Sequence, residues 1–288
     1  MRYRFVRTHE LRWEVGRICR LLNVSRSGYY AWRKRTPSNR VVRNEALLHE
    51  IHQIYAEGKG EYGSPTIYRV LREQGLMVNR KRVVRLMRMV GLRSKVMRQY
   101  KRTTVRCKDR DAAPNLLQQN FTTHGPNRVW LSDITYIPTG EGWLYLTTVE
   151  DMWSRRIIGH AMKDTLQATG VIDALQMALG HRAITPGLIF HSDRGTQYAD
   201  QRVRAILTRH EIEQSMSSTG NCYDNAMAES FFATLKKGHV YWERFKTGEE
   251  ARRKLFEYLE IYYNRVRRHS SLGYKTPVAF EQRHGLLA

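Results

Sequence analysis

Three cysteines in 288 residues, Cys19, Cys107 and Cys222, are odd in number and form no CxxC pair. That excludes a disulfide framework and a zinc module of two His and two Cys, and it fits a reducing compartment. No stretch of about eighteen apolar residues occurs, so no membrane-spanning helix is expected. The first residues, MRYRFVRTHELRW, lack the apolar segment of a secretory signal. A cytoplasmic chain without membrane association is the expectation. Repeats and low-complexity tracts are also missing, and the length allows one full catalytic domain with small helical modules. Acidic side chains are scarce: 27 Asp and Glu stand against 49 Lys and Arg, a net charge of +22.

That excess is one-sided. Residues 1–110 carry 28 basic and 8 acidic side chains, whereas the remaining 178 residues carry 21 and 19. So uneven a field attracts a polyanion, and nucleic acid is the expected partner; a merely solubilising surface is the alternative. Two helix-turn-helix-like patterns divide the basic front. In residues 1–37, an apolar stripe through Val15, Ile18 and Leu22 precedes Ser25, which can cap a helix bearing Tyr29 and Trp32. In residues 38–97, Pro65 sits at a helix start, one helix ends near Gly75, and another begins near Asn79. The last helix is expected to turn Val83, Val84, Met87 and Val90 inward, leaving Arg80, Lys81, Arg82, Arg85 and Arg88 for phosphates or base edges. A helical adaptor with a solvated basic face is the alternative.

Residues 98–120 lose periodicity and read as a basic linker. Alternating strands then fit Val129–Ile137, Leu144–Val149 and Arg156–Ala161, followed by a helix at Ala168–Arg182 and a buried strand at Leu188–His191. A helix at Val203–His210, a short strand at Ile212–Met216 and a helix at Asp224–Lys237 complete the pattern. The expected fold is α/β, a mixed sheet flanked by helices across residues 121–238, preceded by small all-α modules. Residues 239–288 read as an amphipathic helix, with Tyr258, Ile261 and Tyr262 inward, and a basic tail containing Arg267 and Arg268.

Three carboxylates occupy fitting places in this order. Asp133 lies in the first strand, Asp193 follows the apolar strand in LIFHSDRGTQY, and Glu229 lies on the helix of NCYDNAMAESFFATLKK. Oxygen ligands of this kind suit Mg²⁺, and two such ions can stabilise the attacking and leaving oxygens of a phosphodiester. Asn225 and Lys236 share the helical face of Glu229, while Phe231 and Leu235 face away. Asp224, at the helix start, reads as a cap, and Glu150 and Asp151 read as structural or turn residues.

Thirty-five residues separate Asp193 from Glu229. With WLSDITYI, SRRIIGHAM, HSDRGTQY, GNCYDNAMAESFFATLK and YYNRVRRHSSLGYKTP, the chain resembles the bacterial insertion-sequence DDE transposases of family three, specifically their second-frame product, OrfB, from about Trp13 to Pro277. The resemblance implies a ribonuclease-H-like, retroviral-integrase-type core. Asp133, Asp193 and Glu229 would be catalytic and bind two Mg²⁺ per site, with Mn²⁺ able to substitute. It also implies contact of Lys236 with the DNA end, and strand cleavage at one element end followed by attack of the freed 3′-hydroxyl on the other. For Arg267 and Arg268, in the terminal signature, DNA or partner-subunit contact stands beside a packed tail. Double-stranded DNA, as element ends and target, and a homodimer or higher oligomer at the bacterial nucleoid are implied as partners. The upstream frame (OrfA), with its own helix-turn-helix and coiled coil, is not in this sequence and is expected as a partner or fusion. A structure-specific nuclease and a non-catalytic DNA-binding regulator are the alternatives.

Overall fold

The computed structural model describes residues 1–96, 113–118, 120, 122–218 and 226–286. Asp224, Asn225, Cys107, Cys222 and most of the 98–120 linker lie outside the described residues. Two compact units, Met1–His52 and Gln53–Ala288, divide the chain.

In the first unit, α1 (Arg2–His9), α2 (Val15–Leu21) and α3 (Arg26–Lys34) enclose Val6, Ile18, Cys19 and Tyr29. Ser25 caps α3 as its position demands, its hydroxyl accepting from the Gly28 N–H at 2.9 Å. Helix α1 has too few apolar residues to announce itself; Tyr3, beside the rings of Tyr29 and Trp32, anchors it. Helix α4 (Asn39–Glu57) runs across the boundary between the units.

The second unit begins with α5 (Ser64–Glu73) and α6 (Arg80–Met89). Pro65 lies in the first turn of α5, and Gly75 supplies the left-handed φ of +83° after its end. Asn79 caps α6 by accepting from the Lys81 N–H at 2.8 Å. Helix α6 buries Val83, Leu86 and Met87. This corrects the expected stripe, in which Val90 faced inward: α6 stops at Met89, so Val90 leaves the helical phase and is exposed.

Five strands form one sheet in the order β3-β2-β1-β4-β5. Strands β1 (Val129–Thr139), β2 (Gly142–Asp151) and β3 (Ile157–Lys163) form an antiparallel meander, while β4 (Ile189–Ser192) and β5 (Glu213–Met216) join parallel to β1. Parallel pairing requires crossovers, supplied by α7 (Ala168–His181) and α8 (Gln201–Arg209). Helix α7 approaches β3 so closely that a Cβ at Gly159 would lie 2.1 Å from the Ala174 carbonyl oxygen. One face of the sheet holds Trp130, Val149, Phe190 and Tyr198 against α7 and α8. The other holds Ile137, Leu144 and Leu146 against Phe231, Phe232 and Leu235 of α9 (Ala226–Gly238), confirming the inward reading of Phe231 and Leu235. Among the described residues no helix is long and apolar enough to cross a membrane.

After α9 the chain forms α10 (Gly248–Phe256), a π-helical turn at Glu257–Tyr263 and α11 (Pro277–Arg283). Tyr258, Leu259, Tyr262 and Tyr263 are buried, but Ile261 is 53% exposed, against expectation. The i→i+5 bonding of the π turn widens the helical repeat, so the inward positions shift away from those of a regular α-helix.

Candidate catalytic site and nucleic-acid interface

Register brings the first two carboxylates together. Ser132 of β1 pairs with Ser192 of β4 in the parallel ladder, so Asp133 and Asp193 each follow the same rung. Adjacent strands lie about 4.8 Å apart. There β4 ends, whereas β1 continues to Thr139 beside β2. Asp133 therefore lies in mid-strand, at the point where β1 loses its parallel neighbour and an edge opens.

The Asp133 carboxylate accepts from the Ile134 N–H at 2.8 Å, and that of Asp193 accepts from the Gly195 N–H at 3.0 Å. Burial, together with the charges of Asp193 and Glu229, pushes the Asp133 carboxyl up to about 8, with Lys236 opposing. Burial raises Asp193 against its backbone hydrogen bond, and burial with the Asp193 charge raises Glu229. Each acid therefore resists ionisation, and two of them do so partly because of the others.

The carboxylates rest on a hydrogen-bonded floor. Buried Tyr198 shares a 3.0 Å bond with the Ser132 hydroxyl, and the Gln214 amide donates to the Tyr198 carbonyl at 2.8 Å. Buried His191 bonds the Ser215 hydroxyl at 2.9 Å. The Arg194 guanidinium donates to the Ser217 carbonyl at 2.6 Å. Sequence reasoning passed over Ser132 and Tyr198; the block HSDRGTQY held the tyrosine, but its partner lies 66 residues away.

Lys236 projects from α9 over the Tyr136 ring, 4.7 Å from its centroid. Burial lowers its pKa while the Asp133 charge raises it. The ammonium thus faces the carboxylate group, as the shared helical face with Glu229 requires.

The donor set is entirely hard oxygen, with more negative charge than Lys236 can offset, which fits a divalent cation. Among the described residues no three His, Cys, Asp or Glu lie close enough together to hold a metal ion as they stand. Asp133, Asp193 and Glu229 nevertheless lie within electrostatic reach of one another, at the edge of β1 left open by β4. Asp151 ends β2 and holds the turn that follows, accepting from the Asn127 and Trp153 N–H groups at 3.0 and 2.9 Å. Glu150 lies buried, 3.7 Å from Arg155.

On α6, Arg80, Lys81, Arg85 and Arg88 are exposed, while Arg82 is half-buried. The tail arginines instead meet protein. Arg267 donates to Glu61 at 3.0 Å and lies over the Tyr263 ring, and Arg268 pairs with Glu73. For both, the packed-tail alternative describes what the structure contains.

Residues 123–222 match the family of the integrase core domain, residues 210–277 a second integrase core domain family, and residues 42–100 an HTH-like domain. Transposase InsF for insertion sequence IS3A, from Escherichia coli strain K12, is 40% identical over 286 residues, covering 99% of both chains. An insertion element IS600 uncharacterized 31 kDa protein from Shigella sonnei is 41% identical over 271 residues, or 94% of this chain and 100% of that one. Among solved structures, a chain of the simian T-cell lymphotropic virus intasome in complex with PP2A regulatory subunit B56 gamma aligns with a TM-score of 0.46 at 16% identity, over 74% of this chain and 70% of that one. The HTLV-2 integrase catalytic core domain in complex with magnesium aligns with a TM-score of 0.41 at 16% identity, over 54% and 96%.

Proposed function

Because the chain belongs to the IS3-type insertion-sequence transposases and is thus a DNA transposase with integrase-type catalysis, we propose that Asp133, Asp193 and Glu229 are its catalytic, metal-binding residues. The observation that carries this reading is the Ser132–Ser192 rung, which sets two aspartates side by side within electrostatic reach of a glutamate on the helix packed across the sheet. Two Mg²⁺ ions, or Mn²⁺ in their place, would supply Lewis acidity to the attacking and leaving oxygens when bound. Asp133 and Asp193 hold the ligand oxygens from adjacent strands, and Glu229 completes the set from α9. Lys236 offers a cation beside the cleft for a phosphate of the DNA end. Asn225, four residues before Glu229 in the sequence, belongs to the same proposed DNA contact.

Arg80, Lys81, Arg85 and Arg88 present an exposed basic face for DNA, with Arg82 at its margin. The productive assembly is a homodimer or higher oligomer acting with the upstream-frame product in the bacterial cytoplasm, because joining requires two ends held together.

Asp133→Asn, Asp193→Asn and Glu229→Gln keep side-chain shape but remove anionic ligation. Each is expected to lower strand cleavage by at least roughly 10³-fold, a loss of about 4 kcal/mol of barrier reduction, while leaving DNA affinity within a few-fold. Metal-dependent cleavage at the parental rate by any one variant removes that residue from the site.

A further inference from the structure

Two large aromatic rings stand in solvent beside this cleft. Tyr136 is 57% and Trp143 53% exposed, and the rings meet edge to face with centroids 5.1 Å apart. Tyr136 belongs to the part of β1 that runs on after β4 has ended, and Trp143 opposes Pro138 on β2. Single exposed apolar side chains are ordinary on a protein surface. A rigid aromatic pair touching the lysine of the carboxylate cleft is a different object: the Lys236 ammonium lies 4.7 Å from the Tyr136 centroid and also faces Asp133.

Trp143 packs edge to face with Tyr136 and Lys236 lies over the Tyr136 ring, so the ring already has partners on its sides while more than half of the residue stays open to a planar ligand. The ligand that brings a π-face and a phosphate together is a nucleotide. Tyr136 lies three positions beyond Asp133 along β1, about 10 Å at 3.3–3.4 Å per residue; their side chains leave opposite faces of the strand, so they share the edge that opens where β4 has ended. Measured along a duplex axis, that distance spans roughly three nucleotide steps, at about 3.4 Å per step.

We propose that Tyr136, braced by Trp143, is a stacking platform for an unpaired nucleobase within about three nucleotides of the cleaved phosphodiester, with Lys236 holding the adjoining phosphate. Stacking on an aromatic side chain tolerates any base, because every base has a π-face. The platform therefore stabilises local strand opening at the cleavage site without reading sequence. The inference rests on the assignment of Asp133, Asp193 and Glu229 as the catalytic centre.

The test uses the full chain and a duplex of the terminal repeat flanking its gene. 2-Aminopurine replaces, one at a time, the three or so nucleotides on either side of the cleaved phosphate. Binding is followed in Ca²⁺ by anisotropy, and stacking by 2-aminopurine fluorescence. The parental chain is expected to change the fluorescence at one or two of these positions. Tyr136→Ala should lose that change and lower the cleavage rate by roughly 5- to 150-fold, the range of one base-aromatic stack. Tyr136→Phe should retain both, and overall affinity should stay within about threefold in each.

A Tyr136 that only props Lys236 would slow cleavage in the alanine variant and leave the fluorescence change intact, which overturns the proposal. So would a fluorescence change absent from the parental chain, or a Trp143→Ala variant that alters self-association without DNA, since a second copy of the chain would then be the occupant. If Asp133→Asn still cleaves, the catalytic assignment has failed; if Asp133→Asn is inactive but no probe responds, only the platform has.

Discussion

Gly195 sets how far the Asp193 carboxylate can turn. A Cβ there would lie 3.0 Å from Asp193 Oδ1 and 2.9 Å from the Gln197 side-chain oxygen, so one of the two must move. Because its neighbours are side-chain atoms, Gly195→Ala should fold normally, with a stability change below about 1 kcal/mol, yet lower cleavage by roughly a few-fold, since the Asp193 carboxylate must give by a few tenths of an ångström and oriented chemistry is sensitive to placement. Parallel melting and single-turnover measurements check both halves, and unchanged cleavage would show that Asp193 tolerates the shift. Glu150 makes a different prediction. It is buried, neither carboxylate oxygen has a hydrogen-bond partner, and burial pushes its carboxyl from 4.5 up to about 8, with Arg155 opposing. The folded state keeps this proton longer than the unfolded state does, so its contribution to stability is full below about pH 4.5 and is lost as pH rises towards 8. Glu150→Gln cannot ionise, and should gain up to about 4 kcal/mol on the parental chain between about pH 5 and pH 8, at about 1.4 kcal/mol per pH unit. Melting curves that stay parallel across that range contradict the assignment.

Helix α6 shows how an element divides its labour. Val83, Leu86 and Met87 form its buried stripe, and packing against α5 orients the remainder, so the basic residues cannot turn inward together. Changing Arg80, Lys81, Arg85 and Arg88 jointly to Ala should weaken DNA binding and flatten the dependence of log affinity on log salt by about 0.9 for each phosphate no longer neutralised. Alanine is a good helix former and these positions are exposed, so the helix should persist. An unchanged salt slope would assign the face to solvent. Helix α9 divides in the same way, with Phe231, Phe232 and Leu235 in the core, and Glu229 and Lys236 towards the carboxylate cleft.

Across the whole second unit, sequence-distant segments are joined by buried polar contacts. Arg267 pairs with Glu61, Tyr262 donates to the Gly58 carbonyl at 2.7 Å, and Tyr62 donates to the Val266 carbonyl at 2.8 Å. The segment before α5 is therefore tied to the C-terminal part of the catalytic unit, and breaking the Glu61–Arg267 pair from one side would leave a buried charge. For joining, two DNA ends must be presented together, and orienting reactants is worth up to about 7–11 kcal/mol of barrier. With the upstream-frame product fused or added, end-to-end joining should exceed that of this chain alone by at least roughly tenfold, the effect of about 1.4 kcal/mol. Gel analysis of paired-end products measures this, and equal joining without the upstream product would make it dispensable.

The sequence alone determined whatever depends on neighbours along the chain. Period-two alternation marked β1, β2 and β3, Ser25 and Asn79 marked helix starts, and Gly75 marked a helix end, because dihedral preferences and capping act over a few residues. The motif blocks around Asp133, Asp193 and Glu229 were legible for the same reason, each lying within one element or the turn beside it. Tertiary structure decided the rest: the rung that aligns Asp133 with Asp193, the bond between Ser132 and Tyr198, the ring beneath Lys236, the Glu61 partner of Arg267, and the outward turn of Ile261. These depend on register between remote strands and on helix packing, where a shift of one residue exchanges inside for outside. Local patterns fixed the pieces, but only the packed sheet and its helices determined which side chains meet.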